Sequence, residues 1–418
     1  WYEVKEVKND KVTKYGENDD TNAATLVVNS GTITGSSLAI SGNGNRHNTV
    51  ITINDGVVSS TNGTAIYHPQ DGTITVNGGT IEGETGIEMR SGKLTVTGGI
   101  IRGTYQPVEV NANGSGTTTD GAGIAVAQHT TKKAIDVKVS GGTIEGHTAL
   151  YESNPQKNEA AAIEKVSITV SGGTLNTING GTNAIYSEND RIIVEGGEFN
   201  AELPEDVKTA EGTEAYEILT QDGEYKVVVE EESKLEDGYF GFGYTSEDFE
   251  EVFGEEEGFE EVSNLINEAL SDKLTAAIYY ELVFGKLLDN NFVLGTEKIA
   301  VLDEKVEVTL NIPETIEKLK EGYTRKYSII RIHENEVEAE DGTITSEFES
   351  AVLEAKDNGD GTITFETDRF STYVLAYEDV QNTTNPNTGD NILVYLVLSV
   401  ISVAGLMFTG LKVAKKNN

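Results

Sequence analysis

Acidic side chains recur at outward positions of a repeated segment in the first half of the chain, where carboxylates could do acid–base chemistry. Glycoside hydrolysis needs two facing carboxyl groups roughly 5–10 Å apart, and stacked strands could align them. The candidate acids are Glu82, Glu88, Glu145, Glu152 and Glu195. No Asp-Asp pair occurs within a copy, and the acids are scattered as on a solubilising surface. The simpler interpretation is therefore a non-catalytic face.

Four histidines in the same region do not form a metal-binding pattern. His47, His68, His129 and His147 fall on separate copies or loops. Metal ligands must converge, and no His-x-x-x-His or His-Asp spacing indicates convergence. The sequence therefore predicts no metal site and no cofactor.

The C-terminal stretch has the most specific pattern in the chain. Asn385-Pro386-Asn387-Thr388-Gly389 precedes twenty uncharged residues, Ile392 to Leu411, and the chain then carries Lys412, Lys415 and Lys416. An uncharged run of this length is long enough to cross about 30 Å of hydrocarbon as a helix. Lysines beyond it favour a cytoplasmic end, which predicts that everything before residue 390 lies outside the cell.

These three parts resemble the sorting signal read by Gram-positive sortases: an LPxTG-type pentapeptide, an apolar span and a basic tail. The resemblance implies that a sortase thiol attacks the Thr388–Gly389 bond. The threonine acyl group would then pass to an amine of the peptidoglycan cross-bridge or of its lipid-linked precursor. Asn385 stands where most signals have Leu, which leaves the sortase class open. The alternative is an ordinary membrane anchor preceded by a turn.

A short phrase with a two-residue turn that ends in glycine at its centre recurs through residues 1–203. Its copies include ITVNGGTIEG from Ile74 and VKVSGGTIEG from Val137. The last turn glycine falls at Gly31, Gly56, Gly79, Gly99, Gly142, Gly173 and Gly197. Most gaps are 20–31 residues, and the longest, 43, contains an apparent insertion at 111–121. Within a copy Ile74, Val76, Ile81, Ile87 and Met89 form one inward set, and glycine suits a positive-φ corner.

Only stacking of successive copies would bury this apolar stripe. The repeat resembles pectate-lyase-like and adhesin parallel β-helices, and we expect a right-handed parallel β-helix over 1–203. A β-sandwich is the competing prediction. Residues Trp1 to Tyr15 are predicted to cap the first coil, and Phe199 to Val207 to begin a cap on the last. The resemblance also admits polysaccharide lyases, which would need acidic calcium ligands beside a base such as Arg90, Arg102 or Lys132.

The remaining extracellular chain divides into two further predicted segments. Residues 204–272 are an acidic linker or cap, with a helical apolar face from Phe259 to Leu270. Residues 273–379 carry short alternating strands and Asp-Gly hairpin signals at 341–342 and 360–361, which predict an Ig-like β-sandwich. The phrase FETDRFSTYVLAYED from Phe365 resembles closing strands of stalk modules in Firmicute surface proteins. The sorting signal occupies 380–418.

Composition limits the classes of function. The net charge of −39 argues against nucleic acid and against anionic lipid as partners. There is no cysteine, so neither disulfides nor thiolate chemistry contribute. The sequence as given starts at Trp1 without a signal peptide, which we interpret as a processed end or a fragment.

Together these patterns predict an all-β protein with a C-terminal transmembrane helix, anchored to the cell wall through Thr388. We expect it to be non-enzymatic, with the repeat binding a glycan or a host surface ligand. The alternative is a wall-attached polysaccharide lyase or glycoside hydrolase with the repeat as catalytic domain. A third possibility is a membrane-anchored protein whose tail is never cleaved.

Overall fold

The computed structural model describes residues 4–8, 11–15, 24–44, 47–110, 117–256, 258–271, 273–338 and 344–382. The described chain is mostly β-strand, with few helical residues. It divides into two compact units. The first comprises Trp1–Leu219 and Glu224–Lys234, and the second comprises Thr220–Gly223 and Leu235–Asn418. The predicted acidic linker, 204–272, is thus divided between the two units near residue 234. The boundaries of the four predicted segments stay a prediction.

The first unit is built from three rows of parallel strands, each strand hydrogen-bonded to the equivalent strand of the next copy. Strands are numbered in chain order. Row 1 contains β3 (Thr25–Val28), β6 (Thr49–Ile53), β9 (Gly72–Val76), β12 (Gly92–Val96) and the first halves of β17 (Ile135–Gly146), β19 (Val166–Thr177) and β21 (Ile192–Phe199). Row 2 contains β4 (Thr32–Gly35), β7 (Val57–Ser60), β10 (Thr80–Gly83), β13 (Ile100–Gly103) and the second halves of β17, β19 and β21. Row 3 contains β5 (Leu38–Ser41), β8 (Thr64–His68), β11 (Thr85–Met89), β16 (Ala122–Ala127), β18 (Leu150–Ser153) and β20 (Ile185–Ser187).

The core of this unit consists of columns of equivalent aliphatic side chains. One column is fully buried and runs through row 1 in continuous register: Ile53, Val76, Val96, Val139, Val170 and Val194. The predicted inward set is confirmed, because Ile74, Ile81, Ile87 and Met89 are also almost fully buried. Each copy alone would expose its stripe, so burial depends on the neighbouring copies.

The corner between rows 1 and 2 requires glycine, as the repeat predicts. All seven turn glycines have positive φ, from 77° to 119°. At Gly79 a Cβ atom would also lie 2.7 Å from the carbonyl oxygen of Gly56 on the preceding copy. Both the dihedral angle and the close stacking of backbones therefore exclude a side chain.

The last coil is covered by an antiparallel hairpin that the sequence did not predict. β23 (Thr213–Leu219) pairs with β24 (Tyr225–Glu231), and β24 continues onto the second half of β21. Val227 and Val229 join the aliphatic core together with Phe199 and Val207. Phe199 and Val207, from the segment predicted to begin a cap, thus pack in this core, and the hairpin pairs with the edge of β21. β22 (Lys208–Thr209) lies between β21 and β23 in the chain. A 3-10 turn at Glu232–Lys234 follows β24.

Three smaller elements complete the first unit. β1 (Val4–Lys8) and β2 (Lys11–Tyr15) form a two-stranded sheet, and among the described residues they pair only with each other. Their predicted role as a cap on the first coil stays a prediction. β14 (Val108–Val110) and β15 (Thr118–Asp120) form an antiparallel hairpin at the predicted insertion. α1 (Ala160–Ile163) lies in the connection between β18 and β19.

The second unit contains two antiparallel sheets that share one core. The larger has the order β25–β26–β33–β29–β30, with β27 pairing at one end of β26. Its strands are β25 (Glu236–Tyr244), β26 (Thr275–Leu288), β27 (Asn291–Val293), β29 (Tyr323–Glu338), β30 (Ile344–Glu354) and β33 (Thr372–Gln381). The smaller consists of β28 (Val301–Asn311), β31 (Lys356–Asp357) and β32 (Thr362–Arg369). Phe284, Val308, Phe365 and Tyr373 belong to the shared core.

Helices cover the other face of the larger sheet. α2 spans Ser246–Phe253 and begins after Thr245, whose hydroxyl accepts a hydrogen bond from Asp248 N. α3 spans Phe259–Leu270, which confirms the predicted helix, and its Val262 and Ile266 pack on Ile330 and Ile332. No helix of the described residues is long and apolar enough to cross a membrane. The predicted transmembrane helix, 392–411, lies outside the described residues.

Candidate functional site

Two of the predicted carboxylates are held in an ion-pair ladder on row 2. Glu82, Arg102 and Glu145 occupy adjacent strands in register. Arg102 donates from Nη1 to Glu82 (2.9 Å) and from Nε to Glu145 (2.7 Å). Arg102 thus bridges the two carboxylates, an arrangement that suits a surface ion-pair network and not an acid–base pair.

Two further predicted acids also lie apart from any shared groove. Glu152 is buried and accepts hydrogen bonds from Ser187 Oγ (2.9 Å) and from the backbone and side chain of Asn189 (2.9 and 2.8 Å). Burial raises the pKa of Glu152, although these hydrogen bonds oppose the rise. Glu195 is exposed on β21, and the predicted base Lys132 pairs with Glu159 at 2.5 Å.

Glu88, in contrast, forms a buried carboxyl pair with Asp120, an acid that the sequence did not indicate. Burial raises the pKa of both carboxyl groups, most strongly that of Glu88, and the neighbouring Asp120 adds to the rise at Glu88. Glu88 Oε1 lies 3.7 Å from Nε of the equally buried Arg90. Neighbouring carboxyl groups with perturbed pKa values are a feature of acid–base catalysts, but Glu88 is only 1% exposed.

The β14–β15 hairpin is what buries this pair. Asp120 is the last residue of β15, and Thr118 and Thr119 beside it are almost fully buried. Thr119 Oγ1 lies 2.6 Å from Ser153 Oγ on β18. Arg90 donates from Nη2 to the Thr117 carbonyl oxygen, at 3.0 Å. The described part of the predicted insertion, residues 117–121, is therefore folded onto the outer face of row 3.

The same outer face carries a column of side chains in equivalent positions of the repeat. The register aligns Tyr67, Glu88, Ala125, Tyr151 and Tyr186 on successive strands. The rings of Tyr151 and Tyr186 are stacked, with centroids 4.6 Å apart and planes inclined by 17°. Tyr186 is 37% exposed, so the hairpin covers one part of row 3 and leaves an aromatic surface at the other.

A polar cavity of about 430 Å³ opens where strands β18 and β20 end. It is lined by Asn154, Asn158, Ala160, Ile163, Glu164, Glu188, Asn189, Asp190 and Arg191. Glu188 links the cavity to the tyrosine pair: it lines the cavity, and its charge acts on both phenols. Burial raises the pKa of Tyr151 to about 12, with further contributions from Tyr186 and Glu188.

The histidines do not form a metal centre. His68 is fully buried and its Nδ1 lies 3.0 Å from the Ser91 carbonyl oxygen, and burial lowers its pKa. Burial also lowers the pKa of His129. Across the described ranges, no group of three or more His, Asp or Glu side chains is arranged to hold a metal ion.

The sorting-signal residues Asn385, Pro386, Asn387, Thr388 and Gly389 lie outside the described residues. The outward column of row 3 that contains Tyr67, Tyr151 and Tyr186 was not predicted, although the sequence contains a signal for it. Aligning the phrases GTAIYHP, TGIEMR, AGIAVAQ, TALYES and TNAIYSE on their inward aliphatic residue places the five outward side chains in one column. The partner of Glu88 could not be found this way, because Asp120 belongs to the insertion and has no equivalent in other copies.

Comparison with known proteins yields no relative: no protein-family model, no curated protein and no solved structure matches this chain.

Proposed function

We propose that this chain is a cell-wall-anchored surface protein whose repeat region binds a glycan or another surface ligand without catalysing a reaction. The observation that carries the proposal is the order of pentapeptide, uncharged span and lysines at 385–416. In this account a sortase cleaves after Thr388 and joins its acyl group to peptidoglycan. The net charge of −39 is compatible with an extracellular, self-repelling surface protein.

The repeat unit in this proposal is a right-handed parallel β-helix, and the two-sheet unit is an Ig-like stalk module between it and the wall. Three rows of in-register parallel strands with glycine corners support the first assignment. The shared core of two antiparallel sheets supports the second.

Replacement of the acyl donor tests the anchoring. In a Gram-positive host with a sortase that reads NPxT-type signals, we expect the wild-type chain in the wall fraction. Thr388→Ala should shift it to the membrane fraction, because the amide next to residue 388 would no longer be recognised. Thr384→Ala, outside the pentapeptide, is the matched control and should stay in the wall. Retention of Thr388→Ala in the wall would exclude the proposed bond.

A second candidate function, polysaccharide cleavage, is favoured by one arrangement, the buried Glu88 carboxyl group beside Asp120 and Arg90. Glu88 would act as the general acid and Asp120 as the second carboxylate, and a movement of β15 that carries Asp120 away from Glu88 would have to open the space for the scissile bond between them. Incubation of the full chain with plant and bacterial polysaccharides tests it. Cleavage that is abolished by Glu88→Gln but retained by Glu82→Gln would establish this function, and unchanged polysaccharide would dismiss it.

A further inference from the structure

We infer that the outer face of row 3 around Tyr186 is a binding site for a neutral glycan, a hexose or N-acetylhexosamine oligomer. The inference rests on the proposed ligand-binding function and assigns it to particular residues. The site combines the stacked tyrosines with the polar cavity at the ends of β18 and β20.

The aromatic part of the site offers a flat surface at the end of a row. β20 is the terminal strand of row 3, so no further strand of that row lies beyond Tyr186. The Tyr151 ring, packed at 4.6 Å, supports the Tyr186 ring from the other side. A ring fixed in this way can receive the apolar C–H face of a pyranose with little loss of side-chain freedom.

The polar part of the site is held in place by hydrogen bonds before any ligand arrives. Asn154 N donates to Glu188 Oε2 (2.7 Å), and Asn158 N donates to Asn154 Oδ1 (2.9 Å). Asn158 Nδ2 donates to Gln128 Oε1 at 3.0 Å. Amide and carboxylate groups fixed along one wall can exchange hydrogen bonds with sugar hydroxyl groups, and such a few convergent polar groups give a pocket its specificity.

The charge of the site selects among glycans. Glu164, Glu188 and Asp190 line the cavity, whereas Arg191 is its one lining cation and donates from Nε to the Asn189 carbonyl oxygen. Lys208 lies 3.3 Å from Asp190 and offsets that carboxylate only. Glu109 and Asp206 add negative potential at the tyrosines. Uronic-acid polymers would be repelled, so between acidic and neutral glycans the site favours the neutral ones.

Calorimetric titration of the full chain in detergent tests the site, with maltohexaose, cellohexaose and N-acetylchitohexaose as neutral probes and polygalacturonate as the acidic comparison. We expect at least one neutral hexaose to bind and polygalacturonate to bind more weakly. Tyr186→Ala should weaken binding about tenfold or more, since it removes the stacking surface. Tyr186→Phe, which keeps the ring, should bind within about threefold of wild type.

Tyr105→Ala is the matched control, because Tyr105 is 52% exposed and lies outside row 3, in the connection between β13 and β14. It should bind like the wild type. If a neutral hexaose binds wild type and Tyr186→Ala equally, this site is wrong while a glycan-binding function stands. If none of the three hexaoses binds the wild type, the glycan-binding function fails with the site. Tighter binding of polygalacturonate would overturn the assignment of a neutral ligand.

Discussion

At the scale of single residues, this protein places acidic groups in three different environments. Glu82 and Glu145 are bridged by Arg102 on the surface. Glu88 is buried beside Asp120, and burial raises the pKa of its carboxyl group. Glu188 is a solvent-facing acid of the cavity. Only the third environment offers a carboxylate to an incoming ligand, which is why ligand binding and not cleavage is the leading proposal.

Glu281 in the second unit makes stability depend on pH. It lies on β26 and accepts a hydrogen bond from Thr372 Oγ1 on β33. Burial raises its pKa to about 7, Glu256 adds to the rise, and the Thr372 hydrogen bond and Lys298 oppose it. Because the folded-state pKa exceeds the unfolded one, the stabilisation is complete below about pH 4.5 and is lost as pH rises through 7.

We therefore expect wild-type unfolding free energy to fall by roughly 2–3 kcal/mol between pH 5 and pH 8.5, relative to Glu281→Gln. Urea denaturation of both proteins at each pH measures this difference. Glu366→Gln, at an exposed position of β32, is the matched control and should follow the wild type. Parallel pH profiles for wild type and Glu281→Gln would show that Glu281 does not titrate in this range.

At the scale of elements, the repeat unit is governed by its corners and columns. Each strand pairs with the equivalent strands of the copies before and after it. A side chain must therefore pack against the equivalent side chains of both neighbouring copies. The repetition made the inward residues and the corner glycines predictable from sequence, since both recur at equal spacing. The β14–β15 hairpin and the β23–β24 cap occur once, so no periodic signal indicated where they pack.

The second unit shows the same limit. Alternating apolar residues predicted β26, β28, β29, β32 and β33 in part, and helical spacing predicted α3. The sequence places β25 in the predicted acidic linker, because the acids and glycines around Tyr239 and Phe240 obscure the pattern of a strand. Tyr239 and Phe240 are both buried, on opposite faces of the strand, in different clusters. A strand that is buried on both faces lacks the alternation of apolar and polar residues by which a strand is recognised in a sequence.

Substitution at a corner separates backbone strain from stacking. Gly79→Ala combines a positive φ of 77° with a Cβ 2.7 Å from the Gly56 oxygen, whereas Gly212, at 85°, has nothing within 4 Å. We expect Gly79→Ala to lower the unfolding free energy by about 3 kcal/mol or more, and Gly212→Ala by about 1 kcal/mol. Urea denaturation of the two variants measures the difference. Equal losses would mean that the dihedral angle alone matters and that the coils can separate at no cost.

At the scale of the whole molecule, we propose a repeat that binds a ligand and a chain end that is attached covalently to the cell wall. In this proposal residues 385–389 would be the substrate of another enzyme, a sortase. The uncharged span that follows would hold the chain at the membrane only until Thr388 is transferred. The repeat and the two-sheet unit would then remain outside the cell.

Mass spectrometry of peptides released from purified cell walls tests this central claim most directly. After muralytic and proteolytic digestion, we predict a C-terminal peptide that ends at Thr388 and carries a peptidoglycan stem fragment on its carboxyl group. Recovery instead of peptides that extend through Gly389 into the lysine tail at 412–416 would contradict the account, because the chain would then be held by its membrane span alone.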